Sequence, residues 1–94
     1  MIKSFGDDDT KSVWEGRRPK KIPSDIISRA FRKLEYLDNA NDISDLGVPP
    51  SNHLEALIGN LKGFWSIRIN EKYRIVFKFE GSNAYDVEIS NHYK

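Results

Sequence analysis

The chain contains no cysteine. Disulfides and thiolate metal sites are therefore excluded, and a reducing cytoplasm is the expected location. Only two histidines are present. Neither His53 nor Glu55 has metal-ligand spacing to another His or Cys, so no metal or other cofactor is expected. No apolar run approaches the roughly 20 residues of a membrane span, which excludes a helical membrane anchor. The first residues, MIKSFGDDDT, turn acidic where an export signal would be apolar, so secretion is not expected. Internal repeats, linkers, low-complexity tracts, a phosphate-cradling glycine loop and a nucleophile elbow are likewise missing.

What is present fits one small domain spanning residues 1–94. A chain of this size buries roughly two-thirds of the surface its unfolded form exposes, enough for one modest core. The net charge is only +1, but the charges are segregated. Arg17, Arg18, Lys20, Lys21, Arg29, Arg32 and Lys33 face Asp25 alone in their stretch. Lys62, Arg68, Lys72, Arg74 and Lys78 face Glu71 alone in theirs. Asp38, Asp42, Asp45 and Glu55 lie between. Such segregation is compatible with a basic face that meets a polyanion, and also with an ordinary solvated surface.

Met1–Phe5 alternates as a short strand. Asp7–Glu15 reads as one or two helical turns, with acidic residues at the N-terminal end and Gly16 as the stop. Pro23 and Ser24 start a second helix, whose apolar stripe is Ile26, Ile27, Ala30, Phe31, Leu34 and Leu37. Arg29, Arg32 and Lys33 fall on its outer face. Pro49-Pro50 forces extended backbone. Strands are predicted over His53–Ile58, Gly63–Asn70, Tyr73–Phe79 and Ala84–Ile89. The order β-α-α-β-β-β-β means an α+β fold, with two N-terminal helices on one face of a mainly antiparallel sheet. Trp14, Phe31, Trp65, Tyr73 and Phe77 read as core rather than as base-stacking groups.

Alternation puts Trp65, Ile67 and Ile69 on one face of a strand, and Ser66 and Arg68 on the other. Tyr73, Ile75 and Phe77 match the first set, whereas Arg74, Val76 and Lys78 match the second. Apolar faces coincide only if Ile69 lies opposite Tyr73, with Asn70-Glu71-Lys72 as the loop. That register sets Arg68 directly across from Arg74. Opposed like charges destabilise a sheet, and a bound anion would offset the cost. Each arginine could instead pair with a carboxylate or splay into water. In the next hairpin, Phe79 opposite Tyr85 would put Lys78 across from Asp86 and Arg74 across from Ser90. His53 and Glu55 share a face, as an acid–base couple or as a plain surface pair.

Cutting RNA without a metal needs a base for the 2′-hydroxyl proton, cations at the phosphate and an acid for the leaving 5′-oxygen. His92 has the pKa for acid–base work. Arg68 and Arg74 have planar forks suited to phosphate oxygens. Tyr93 could donate a proton or stack on a base, and Lys62 and Lys72 are further candidates for phosphate contacts.

Several runs together resemble the RelE/ParE superfamily of bacterial toxins, and within it the HigB, or plasmid killer, branch. They are MIKSF, RKLEYLDNANDISDL, PPSNHLEAL, GNLKGFWSIRINEKYRIVFKF and AYDVEIS. The resemblance implies a RelE-type fold and a ribosome-dependent mRNA endoribonuclease that inhibits translation. It also implies a partner antitoxin of HigA type with a helix-turn-helix domain, through which alone operator DNA would be reached; no membrane partner is implied. Arg74 corresponds to the arginine of the family's W-R-I run, with Tyr73 in place of tryptophan, and Arg68 sits in its S-I-R run. The end Asn91-His92-Tyr93-Lys94 departs from the family's Asp-Tyr-His. Glu55 stands where some members carry a catalytic histidine, and His53 lies where an arginine is frequent. The expected catalytic set is thus Arg74, His92, Tyr93, Glu55 and Arg68. RNA contacts are expected from Lys62, Lys72, His53, Asn91, Arg17, Arg18, Lys20 and Lys21. A gyrase-poisoning ParE-like role and an inert antitoxin-binding relative are the alternatives.

Overall fold

The structure, a computed structural model, describes residues 1–91. Helix α1 spans Asp8–Trp14. The Asp7 carboxylate caps it by accepting the Thr10 N–H at 2.9 Å, and Asp8 and Asp9 complement the first-turn dipole. Gly16 follows with φ of 88°, a left-handed turn that ends the helix. Helix α2 spans Ser24–Asn39. Its stripe of Ile26, Ile27, Ala30, Leu34 and Leu37 is buried.

The strands are β1 (Glu55–Ala56), β2 (Trp65–Arg68), β3 (Arg74–Glu80) and β4 (Asn83–Ser90). They form one antiparallel sheet in the order β1-β2-β3-β4. The apolar stripe of α2 joins Ile67, Ile69, Ile75, Phe77, Val87 and Ile89 in one buried cluster, and Val13 of α1 and Leu46 complete it. Phe77 lies fully inside this cluster, while Trp14, Phe31, Trp65 and Tyr73 pack at its margin. The expected α+β layering, helices over one sheet face, is what forms.

The β2–β3 hairpin has the register the hydrophobic pattern requires. Ile67 pairs with Ile75 and Arg68 with Arg74, and the Ile69 N–H donates to the Tyr73 carbonyl at 2.9 Å. The Asn70 side-chain oxygen closes the loop by accepting the Lys72 and Tyr73 N–H groups, both at 2.8 Å.

Three expectations need correction. The β3–β4 hairpin turns one residue tighter than predicted, with Glu80 opposite Asn83 and Lys78 opposite Tyr85. A bulge between Val76 and Lys78 then restores Ile75 opposite Ile89 and Arg74 opposite Ser90. Asp86 carries a φ of 53° there, and such an extra residue is invisible to a period-two pattern. The Lys78–Asp86 ion pair still forms at 3.8 Å. Second, Met1–Phe5 makes only two isolated parallel bridges to β4, Ile2 to Ala84 and Phe5 to Val87. The bulge separates them, and the Ser4 hydroxyl accepts the Asp86 N–H at 2.9 Å. Third, the strand predicted from His53 shrinks to Glu55–Ala56. A 3₁₀ turn covers Pro50–Asn52, and His53 is left-handed with φ of 45°. His53 and Glu55 are therefore not related by strand alternation.

Phe77 is fully enclosed. Phe77→Ala should cost about 3–5 kcal/mol, read as a lower urea midpoint at unchanged slope.

Candidate nucleic-acid interface

Arg74 and Arg68 lie side by side on adjacent strands, but their surroundings differ. Arg74 projects from the sheet face that α2 does not cover, yet it is buried there at 9% exposure, contrary to the open placement expected. Ser66, His53 and Glu55 surround it. Nε donates to the Ser66 hydroxyl at 2.8 Å, and Nη2 donates to the main-chain carbonyl of His53. The Glu55 carboxylate stands 3.7 Å from Nη2, with just over half of that side chain exposed. Ser66 itself is fully buried. These contacts satisfy a cation that would otherwise be costly to desolvate, and they fix the plane of its fork.

Arg68 is half-buried, and its Nε donates to the Asn70 carbonyl at 3.2 Å. It faces a cleft of about 460 Å³ between α2, the Pro49–His53 turn and the β2–β3 loop. Arg29, Arg32 and Lys33 of α2 line the same cleft, with Tyr36 and His53. Lys33 is not on the outer helix surface as its spacing suggested. It is buried, and its Nζ donates to the Asn52 side-chain oxygen. The Asn52 amide nitrogen donates to the carbonyls of Leu46 at 3.1 Å and Val48 at 3.4 Å. Burial holds the Lys33 ammonium pKa below its ordinary value, and the neighbouring Arg29 and Arg32 charges add to the effect.

The fold therefore gathers Arg68, Arg74, His53 and Glu55 and adds the α2 cations to them. Lys62 and Lys72 are exposed and do not line that cleft. Arg17, Arg18, Lys20 and Lys21 are exposed too. Arg17 pairs with Glu15 at 2.8 Å, and Arg17 and Arg18 border a separate hollow with Ile27 and Phe31, so this basic loop is not part of the Arg74 neighbourhood. Asn91 is exposed and follows Ser90, the strand partner of Arg74. His92 and Tyr93 lie outside the described residues. Among the described residues, no group of three or more His, Asp or Glu side chains comes together to hold a metal ion. Pattern reading missed Ser66 and Asn52, the buried acceptors of the two cations. A serine flanked by apolar residues on a strand is the only trace the first leaves, and the second leaves none.

On the same outer sheet face, burial pushes the Glu88 carboxyl pKa up from 4.5, and Asp7 reinforces the shift. A raised folded pKa means that the native state holds the proton more tightly than the unfolded chain. That contribution is fully present below 4.5 and is lost as pH rises through the raised value. Glu88→Gln should flatten this part of the stability–pH curve, measured by urea titration across the acid range. Asn52→Ala should cost about 1–3 kcal/mol, because it strands the buried Lys33 ammonium. Thermal denaturation checks that value.

Comparisons with known proteins bear on what this geometry serves. Residues 3–92 match the family model described as the RelE-like toxin of the type II toxin–antitoxin system HigB. Toxin HigB-1 of Vibrio cholerae is 42% identical over 93 residues, 98% of each chain. Endoribonuclease HigB of Proteus vulgaris is 32% identical over 85 residues, 90% of this chain and 91% of that one. Among solved structures, the YoeB–YefM complex of Staphylococcus aureus aligns over 99% of each chain with a TM-score of 0.63 at 16% identity, a likeness of fold. A matching family model over nearly the whole length, a relative at 42% identity and the layered fold agree: the chain belongs to the HigB-like, RelE-type toxins of type II toxin–antitoxin systems.

Proposed function

We propose that this toxin is an endoribonuclease that cleaves mRNA on the ribosome, using side chains and no metal. The observation that carries the reading is Arg74, a buried guanidinium oriented by Ser66 and His53 and set across from Arg68. The Proteus vulgaris relative named as an endoribonuclease supports the same reading.

In the proposed reaction the 2′-hydroxyl attacks the adjacent phosphorus and the bond to the 5′-oxygen breaks. The products are a 2′,3′-cyclic phosphate and a 5′-hydroxyl. Negative charge accumulates on the non-bridging oxygens as the phosphorus becomes five-coordinate. A fork already aligned by hydrogen bonds stabilises that charge without reorganising. Arg74 fills this role, and Arg68 supplies a second cation from the next strand. Glu55 is the proposed base; its exposed carboxylate near Arg74 can accept the 2′-hydroxyl proton. His92 and Tyr93 are proposed as the acid that protonates the 5′-oxygen. The expected partner is an antitoxin of HigA type with a helix-turn-helix domain, through which operator DNA is reached.

Arg74→Lys keeps the charge but loses the fork, and Arg74→Ala loses both. Each should lower cleavage by about 10²–10³-fold and relieve growth arrest while antitoxin binding persists. Mapping transcript 5′ ends after brief induction gives the readout. Full arrest by a well-folded Arg74→Ala variant, with intact mRNA and a DNA-damage response, would transfer the protein to the gyrase-poisoning class.

A further inference from the structure

The cleft beside α2 holds more positive charge than the cleavage chemistry uses. Arg29, Arg32, Lys33 and Arg68 share it, and among the described residues Glu71 is the only carboxylate on its lining. Among the described residues, neither Arg29 nor Arg32 stands within ion-pair distance of a carboxylate. Lys33 cannot relieve the crowding by swinging into water, because it is buried and tied to Asn52. Its Nζ also sits 5.6 Å from the centre of the Tyr36 ring, which remains 38% exposed. A concentrated, fixed set of cations in a concave site favours an anion with several oxygens.

We propose that this cleft is a nucleotide-binding site. It takes one nucleoside phosphate unit, the phosphate between Arg29 and Arg32 and the base against Tyr36.

Three features favour a nucleotide over a bare phosphate or an acidic peptide. The volume of about 460 Å³ lies in the range of small-molecule pockets and exceeds what one ion fills. The lining is chemically mixed: guanidinium groups share it with Tyr36 and Pro49, which offer apolar surface to a base. Stacking on an aromatic ring accepts any base, because every base has a π-face. The site is also continuous with Arg74. The His53 side chain lines the cleft, while its main-chain carbonyl accepts from the Arg74 guanidinium. A strand crossing His53 would place one nucleotide in the cleft and another phosphate at Arg74. The same chemistry is offered by a free mononucleotide, and the experiment separates the two sources.

The inference goes beyond the cleavage reading and does not require catalysis, so binding is measured with probes that cannot be cut. The probes are adenosine 5′-monophosphate and a 2′-O-methyl hexa-adenylate, titrated calorimetrically into the full chain. Arg29→Ala/Arg32→Ala alters exposed positions of a helix in which alanine is well tolerated, and circular dichroism checks folding. This variant should weaken binding by about tenfold per arginine removed. Tyr36→Ala should weaken it by roughly five- to hundredfold. Arg74→Lys should leave mononucleotide affinity unchanged, which separates this site from the cleavage site. A hexanucleotide that competes with the monophosphate and binds more tightly identifies an RNA strand as the source. A monophosphate that binds as well as the hexanucleotide identifies a free nucleotide. The proposal is overturned if neither probe binds, or if the double arginine variant binds both as the parent does. It is also overturned if a hexaglutamate peptide displaces nothing yet loses its own binding in that variant, because the cleft then serves an acidic protein segment.

Discussion

Everything at the site depends on one buried guanidinium. Arg74 sits on the sheet face away from α2, where a two-layer α+β fold ordinarily meets solvent. A charge so placed is stable only if the surrounding chain supplies acceptors. The Ser66 hydroxyl does so from the neighbouring strand, and the His53 carbonyl does so from a left-handed turn. These contacts accompany a 3₁₀ turn and a left-handed His53 in place of a long strand. The carbonyl must point at Arg74, and the αL conformation of His53 points it there. The constraint that shortens β1 is thus the same one that organises the candidate site.

Lys33 repeats the arrangement on the helical side. It too is buried, and it too donates to a neutral oxygen, that of Asn52. A neutral acceptor satisfies the hydrogen-bonding need of a cation without cancelling its charge. Lys33, held this way, keeps its charge available at the cleft it lines.

The sequence was most legible where side chains alternate about a buried face. The matched apolar faces of β2 and β3 fix the pairing of Arg68 with Arg74, and the three- and four-residue spacing of α2 fixes its buried stripe. It was least legible where one residue breaks a period. The bulge at Asp86 moves the β3–β4 turn by one and leaves the pairing beyond it intact, because an inserted residue is compensated within the same hairpin. Burial of Lys33 and Arg74 was illegible for another reason. Whether a long cationic chain snorkels or stays inside depends on acceptors such as Asn52 and Ser66, which lie far from it in sequence. The basic Arg17–Lys21 loop shows the converse. It is conspicuous as a charge run, yet it borders a different hollow from the cleft at Arg68.

A net charge of +1 is small for a protein that handles a polyanion. The resolution lies in what the carboxylates do. Asp7 caps α1, and Asp38 accepts the Ile2 N–H that anchors the N-terminal segment. Asp42 and Asp45 form a reciprocal cap on the Ile43–Gly47 turn. Each of these acids is occupied by backbone N–H groups, on parts of the chain other than the cleft beside α2. The cations of α2 and of the central hairpin share that cleft, with a single acid on its lining among the described residues. Acids that stabilise turns and helix ends, and bases that converge on one cleft, allow a nearly neutral chain to present a locally strong positive field. At physiological salt such a field decays within about 8 Å, so the shape of the cleft matters more to a phosphate than the total charge does.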